Sequence, residues 1–217
     1  MSESEAMRGL DDERLIGRAG EGDLPALAEL FSRYRVRLRQ MVRLRLDRRL
    51  QGRVDASDVL QETYLDVAQQ LGSYLAGREL PFFLWLRLVA GQRLMRIHRE
   101  HLGSAMRDAG REVSLFKGPL PQASSVSLAA QLLGRYTPAS EAFSRAEVQV
   151  QIQTALNSME PIDREIIALR HFEELTNAEV AQILGLEKST ASKRYIRALK
   201  RLQDLLKHIP GLLDRKH

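Results

Sequence analysis

The sequence predicts an all-α protein with two helical domains joined by a flexible linker, the C-terminal one containing a helix-turn-helix. Apolar residues make up 44% of the 217 residues and aromatic residues only 6%. The apolar residues recur at spacings of three and four, which is typical of amphipathic helices. Glycines, prolines and serines interrupt this pattern in the middle of the chain. The predicted limits are a first domain at 10–102, a linker at 103–140 and a second domain at 141–208.

Composition excludes several classes of protein. No apolar run approaches the roughly 20 residues that span a bilayer, and the acidic N-terminus lacks a signal-peptide core. The chain has no cysteine, hence no disulfide and no thiolate metal site. We find no carboxylate pair beside a histidine, no phosphate-binding glycine loop and no metal-spaced cluster. We therefore predict a cytoplasmic protein that is not an enzyme, does not insert into membranes and needs no cofactor or metal.

Charge is concentrated in two basic blocks. Residues 31–102 carry fourteen arginines against seven acids, and residues 186–217 carry nine lysines and arginines against three acids. Two such blocks indicate two contacts with a polyanion, and solvated helix faces are the alternative. The arginine-rich stretch RYRVRLRQMVRLRLDRR within the first block has the same two interpretations, a solvated face or a contact with upstream or single-stranded DNA.

The N-terminal half contains three predicted helices: Leu15–Val42 with an internal turn, Ala56–Leu71 and Phe82–His101. Asp23 is the expected N-cap at the internal turn, and Asp55 or Ser57 at the second helix. Glycines and a proline predict a loop at Gly72–Pro81. Three aromatic residues at the start of the third helix are interpreted as core: Phe82, Phe83 and Trp85.

The C-terminal half contains four predicted helices: Ser140–Ser158, Ile162–Phe172, Asn177–Leu184 and Lys188–His208. Pro161 suits the first turn of the second of these. Thr176 and Glu179 have the spacing of a capping box for the third. The linker holds at most a short helix at Leu128–Leu133.

The stretch TNAEVAQILGLEKSTASKRYIRAL has the spacing of a helix-turn-helix. Gly185 can adopt the positive φ of the turn, and Ala181 lets the two helices approach. In the second helix one face is apolar, with Ala191, Tyr195, Ala198, Leu202 and Leu205. The opposite face carries Ser189, Lys193, Ile196, Arg197 and Lys200. This pattern predicts a helix that enters the DNA major groove, with these candidate DNA-binding residues: Lys188, Ser189, Thr190, Ser192, Lys193, Arg194, Arg197 and Lys200.

Three further motifs occur in the order found in one family. DASDVLQETYLDVAQQL resembles the second conserved region of bacterial sigma factors, and FFLWLRLVAGQRLMRIHREH is similar to the promoter-melting helix of that region. LNSMEPIDREIIALRHFEELTNAEVAQILGLEKSTASKRYIRALKRL resembles the fourth conserved region. The chain is thus similar to sigma factors of the extracytoplasmic-function (ECF) type of the sigma-70 family.

The resemblance implies a function and a set of site residues. A sigma factor binds core RNA polymerase and directs promoter-specific initiation by recognising the −35 element and melting the −10 element. The helix-turn-helix residues would bind −35. The residues implied for −10 are Tyr74, in a base-capturing loop, and Arg87, Gln92, Arg93, Arg96 and Arg99 on an exposed helix face. The residues implied for polymerase binding are Asp58, Gln61, Glu62 and Leu65.

The implied partners are core RNA polymerase and promoter DNA, with an anti-sigma factor as a further candidate, and we expect a monomer.

Two positions depart from the family pattern. Glu187 stands where a Ser or Thr usually caps the recognition helix. Ile196 stands where many members have a polar residue, and it could contact a thymine methyl or pack on a neighbouring helix. A one-component helix-turn-helix regulator acting without core polymerase is the alternative function.

Overall fold

The computed structural model describes residues 7–102, 120–136 and 142–209, and regular structure within these ranges is helical throughout, which confirms the all-α prediction. The α-helices are α1 Asp12–Gly20, α2 Leu24–Arg45, α3 Ala56–Gly77, α4 Phe82–Leu102, α5 Ser125–Tyr136, α6 Ala142–Asn157, α7 Pro161–Ile167, α8 Asn177–Leu184 and α9 Lys188–Leu206. A π-helical turn, Ala168–Phe172, continues α7. No helix in the described ranges is both long enough and apolar enough to cross a membrane.

The chain divides into two compact units. The first comprises Met1–Val42 and Arg48–Ala109, and the second comprises Arg43–Asp47 and Gly110–His217. The first unit contains most of α2 together with α1, α3 and α4, and the second contains α5 to α9. Each unit has its own set of fully buried aliphatic side chains, as expected for two separate hydrophobic cores.

Helix caps in the first unit form as predicted. The Asp23 carboxylate accepts the backbone N–H of Ala26 at 3.0 Å, so α2 begins after a capped turn. Asp55 caps α3, and the Asp58 carboxylate accepts a hydrogen bond from the Asp55 N–H at 2.9 Å, completing a capping box. Hydrogen bonds from the backbone N–H groups of Asp58 and Ser57 lower the pKa of Asp55. These caps define where the two long helices start.

An aromatic cluster fills the first unit between α2, α3 and α4. Phe82, Phe83 and Trp85 are buried, as predicted. The Tyr34 ring stacks on Phe83 with centroids 5.3 Å apart, and Tyr74 stacks on Trp85 at 4.4 Å. Such pairs stabilise a core beyond the area they bury. The start of α4 therefore packs in this core.

The arginine-rich helix α2 does not have one uniform basic face. Arg33 pairs with Asp12 at 2.9 Å, and the Arg37 guanidinium lies 3.7 Å from the centroid of the Phe83 ring. Arg35 and Arg39 are exposed. Only part of this stretch is thus a solvated face, and the alternative DNA contact of the exposed arginines stays a prediction.

Part of the predicted linker is a packed helix. α5, Ser125–Tyr136, is longer than the expected Leu128–Leu133 and lies against α6. Its apolar face explains this packing, because Leu128 and Ala129 are fully buried. The rest of that linker, 103–119 and 137–140, lies outside the described residues, as do Ser140 and Glu141 at the expected start of α6.

A buried ion-pair network lies in the second unit. The Arg45 guanidinium donates to Glu165 and Glu173, and Arg45 and Glu173 have no exposed side-chain surface. Glu165 also accepts the backbone N–H of Ala123 at 2.9 Å. Burial disfavours a charged guanidinium, but the two carboxylates outweigh this and raise the pKa of Arg45. The network thus keeps a buried cation charged and compensated.

Candidate DNA- and polymerase-binding surfaces

The helix-turn-helix of the second unit has the local geometry that the sequence predicts. Thr176 and Glu179 form a capping box at the start of α8. Gly185 ends α8 in the left-handed region, with φ 63°, where a side chain would be strained. The Leu186 N–H then donates to the Ala181 carbonyl at 2.9 Å. These contacts set the direction in which α9 leaves the turn.

One contact between α8 and α9 was not anticipated. The Asn177 side chain donates to the Lys188 carbonyl at 2.8 Å, joining the first residues of the two helices. Asn177 directly follows the Thr176 cap, so its side chain is available to bond outside its own helix. An asparagine directly after the cap was the sequence feature that could have indicated such a hydrogen bond. Its acceptor, the Lys188 carbonyl, is identified only by the three-dimensional structure.

Helix α9 presents its candidate DNA-binding residues to solvent. Ala191 and Ala198 are fully buried and Leu202 is nearly so, so the inward face is the predicted one. Seven of the eight candidate residues on this helix are exposed: Lys188, Ser189, Thr190, Ser192, Lys193, Arg197 and Lys200. Glu187 is the N-cap residue, and its side chain makes no capping hydrogen bond. The side chains near the N-terminus of α9 are mostly small and those further along are cationic. This distribution suits a helix that enters the major groove.

Arg194 is the exception among these residues. Its guanidinium Nε donates to Asp163 at 2.7 Å, and its Nη2 donates to Glu160. Both acids lie at the start of α7, so Arg194 joins the recognition helix to the helix beneath it. Arg194 is therefore only partly exposed, unlike the other seven candidate residues. A helical wheel of α9 alone does not show that two carboxylates approach this side from another helix.

The exposed basic face predicted for α4 is wrong at two positions. Arg87 is buried, and Arg93 is mostly buried, bonded to Asp66 at 2.7 Å and 3.3 Å from Glu62. The hydrogen bond that Arg93 donates to the Asp66 carboxylate raises the pKa of Arg93. The first turns of α4 are buried on every side, so an arginine there has no solvent face. Gln92, Arg96 and Arg99 are exposed.

Tyr74 does not lie in a loop. Helix α3 continues to Gly77 and ends at Arg78, whose φ of 41° is left-handed. Tyr74 stacks on Trp85, and its hydroxyl donates to the Leu80 carbonyl at 3.0 Å. The predicted loop is therefore reduced to the four residues 78–81. Packing of the tyrosine ring outweighs the weak helix propensity of Gly72 and Gly77.

The residues predicted to bind polymerase are all exposed on α3: Asp58, Gln61, Glu62 and Leu65. Leu65 is 56% exposed, which is unusual for a large apolar side chain in a helix with a buried face. A groove of about 430 Å³ lies between α2 and α3 beside it, lined by Ala28, Phe31, Ser32, Arg35, Leu60, Gln61, Tyr64 and Leu65.

The α2 wall of this groove was missed by the sequence analysis. Phe31 forms an edge-to-face contact with Tyr64 at 5.3 Å, so one aromatic ring from each helix meets in the groove. Ala28, Phe31 and Arg35 recur at helical spacing, and that periodicity was visible in the sequence. Which other helix faces them depends on the packing of α2 on α3. Among the described residues no cluster of histidines and acids could hold a metal ion.

Comparison with known proteins finds a family match for a segment of the second unit. Residues 149–202 match the family model of Sigma-70, region 4. No curated protein sequence matches the chain. The match covers α8, the turn and most of α9, and it confirms the resemblance to the fourth conserved region.

Two solved structures are similar to this chain. One is CnrH in complex with the cytosolic domain of CnrY, at 20% identity and a TM-score of 0.53, covering 90% of this chain and 97% of that chain. The other is the sigma factor RpoE in complex with the anti-sigma factor NepR from Bartonella quintana, at 19% identity and a TM-score of 0.44, covering 87% and 96%. The first likeness shows that this chain shares the fold of CnrH.

Proposed function

We propose that this chain, whose residues 149–202 form a Sigma-70 region 4 domain, is a sigma factor of the ECF type. It binds core RNA polymerase in the cytoplasm and directs promoter-specific initiation, recognising −35 DNA with its second unit and melting −10 DNA with its first. Its mechanism is binding without catalysis. The observation that carries the proposal is the outward-facing set of small and cationic side chains on α9, within the matched region.

For the −35 element, α9 enters the major groove. Lys193, Arg197 and Lys200 are exposed at successive turns and reach phosphates or guanine edges. Ser189, Thr190 and Ser192 are small enough to bring the start of the helix close to the backbone. Arg194 acts indirectly, since its bonds to Asp163 and Glu160 hold α9 in place.

For the −10 element, the exposed residues of α4 are the remaining candidates. Gln92, Arg96 and Arg99 contact the strand, and Arg87 and Arg93 support the helix from inside. Tyr74 captures a base only if its ring leaves the Trp85 stack, and stacking on a base would compensate by about 1–3 kcal/mol.

For polymerase, the binding surface is α3 with the neighbouring groove. Leu65 and the rim of the groove supply apolar contact, while Gln61 and Glu62 supply polar contacts around it. Asp58 has a second role, because it is part of the capping box of α3. An apolar centre with a polar rim suits a helical partner. The chain binds as a monomer.

An anti-sigma factor is a further proposed partner, expected to cover the same polymerase-binding surface. CnrH, which shares this fold, was solved with the cytosolic domain of another protein, CnrY. A partner that occupies the α2–α3 groove would compete with polymerase for Leu65.

The test is a pull-down of core RNA polymerase with the full chain, followed by transcription from a promoter library. We expect stable binding to core and new start sites that share −35 and −10 elements. Leu65→Glu should weaken core binding, whereas Val150→Glu, at a residue 60% exposed in the second unit, should not. Failure to bind core, with tight duplex binding by the chain alone, would instead favour a one-component regulator.

A further inference from the structure

Ile196 is an apolar residue on the polar face of α9. It is 61% exposed, so it does not pack in the core or against a neighbouring helix as the sequence also allowed. Of its four neighbours one turn away on the same helix, Ser192, Lys193 and Lys200 are exposed and Leu199 is half-buried. A branched aliphatic side chain thus projects from a surface on which the other exposed side chains one turn away carry hydroxyl or ammonium groups.

We propose that Ile196 determines −35 specificity by contacting the 5-methyl group of a thymine in the major groove, an inference that rests on the proposed function. The major groove presents one apolar group, the thymine methyl, and the other base edges present hydrogen-bonding groups. Isoleucine offers no donor or acceptor, so only that methyl complements it. Lys193, Arg197 and Lys200 around it supply the phosphate attraction that brings the helix into the groove.

The position of Ile196 on the helix supports this assignment. It lies seven residues (two turns) after Ser189 and four residues (one turn) before Lys200, so the three share one face of the helix. The face opposite holds Ala191 and Ala198, which are fully buried. Ile196 therefore points away from the core together with the other candidate DNA-binding residues, and rotation of the helix cannot hide it without exposing the core.

The experiment removes the thymine methyl group from the DNA and the isoleucine side chain from the protein in separate measurements. A promoter selected with the chain and core polymerase is prepared with each thymine of the −35 element replaced, one at a time, by uracil, which keeps its base pairing. Promoter affinity of the complex with core polymerase is measured for the unmodified chain, for Ile196→Ala and for Val150→Ala. Val150 is a matched control because it is 60% exposed and lies on α6, outside the recognition helix itself.

We expect uracil at one position to weaken binding by the unmodified chain and by Val150→Ala about fourfold, the equivalent of one buried methyl group. Ile196→Ala should bind with a similar salt dependence but should no longer distinguish thymine from uracil at that position. Because Ile196 is exposed, this variant should remain folded.

Three outcomes would overturn the assignment while leaving the proposed function intact: uracil tolerated at every −35 position, the same uracil penalty in Ile196→Ala, or a selected −35 element without thymine on either strand. If no promoter-specific complex forms with core polymerase, the proposed function fails, and this assignment fails with it.

Discussion

Helices α4 and α9 both carry a run of basic residues at helical spacing, yet they expose them very differently. In α9 the cations Lys188, Lys193, Arg197 and Lys200 are exposed. In α4, Arg87 is buried and Arg93 is held by Asp66. The difference follows from how much of each helix is buried. The buried face of α9 is narrow and built on alanines, whereas the first turns of α4 are apolar on every side.

The contrast shows that a run of basic residues stays exposed only where the helix has a separate face to bury. Where a helix is buried on all sides, its arginines need carboxylate partners inside the protein, because an uncompensated buried charge destabilises the fold. Arg194 shows that this holds residue by residue even within α9, since two acids from the start of α7 bind it. The cations therefore divide into a group held by internal carboxylates and an exposed group, for which we propose DNA binding.

The largest effect should come from the most buried cation. Arg45→Met should destabilise the second unit by about 3–5 kcal/mol, because it removes the guanidinium that compensates the charges of the buried Glu173 and the partly buried Glu165. Urea denaturation measures this. Arg39→Met, at an exposed position of the same helix, is the control and should change stability little. Equal unfolding midpoints for the two variants would contradict the supporting role of Arg45.

Arg93 should behave as a supporting residue and Arg96 as a DNA-binding one. Arg93→Leu should cost about 1–3 kcal/mol of stability by leaving the mostly buried Asp66 unpaired. Arg96→Leu should leave stability nearly unchanged and reduce −10 opening. Thermal unfolding and permanganate reactivity of −10 thymines measure the two effects. The division fails if Arg93→Leu impairs opening while its stability equals that of the unmodified chain.

Within α9 the sharpest comparison is between Arg197 and Arg194. If Arg197 contacts a base, Arg197→Ala should weaken promoter binding by about 1–3 kcal/mol. If it contacts only a phosphate, the slope of log binding constant against log salt concentration should fall by about one. Arg194→Ala should leave the salt slope unchanged, because its guanidinium is already paired with Asp163 and Glu160. Promoter titrations at several salt concentrations measure both. An unchanged affinity and salt slope for Arg197→Ala would remove it from the DNA-binding set.

The smallest effect should come from the cap of α8. Thr176→Ala should destabilise the second unit by about 1 kcal/mol, because the Glu179 N–H loses its acceptor at the helix start. Thr190→Ala, which replaces an exposed threonine inside α9, is the control for loss of a hydroxyl. Hydrogen exchange of the α8 amides measures the difference, and equal protection in both variants would show that the cap contributes nothing.

The elements that could be predicted from sequence are those set by neighbouring residues. The N-cap at Asp55, the capping box at Thr176, the left-handed Gly185 and the buried alanines of α9 all appear as expected. Each depends on residues within one or two turns of each other, where spacing alone specifies geometry. The same reason explains why most candidate DNA-binding residues of α9 were placed correctly.

The errors all involve contacts between distant segments. Tyr74 was assigned to a loop because two glycines flank it, but Trp85 from the next helix holds it in α3. Leu128 and Ala129 lie in the predicted linker, but they are fully buried on α5, a helix that packs against α6. Such contacts depend on which surfaces meet after folding, and local propensity is weaker than the packing that results.

The amino-acid sequence was sufficient for the helical class, for the helix-turn-helix and for the outward face of its second helix, because helix periodicity and capping are local. Three-dimensional packing decided which cations form ion pairs inside the protein and which stay exposed. Arg45, Arg93 and Arg194 became structural because carboxylates from other helices reach them, and Arg197 and Ile196 stayed exposed. A charge on a helix is free for a ligand only when no part of the folded chain neutralises it first.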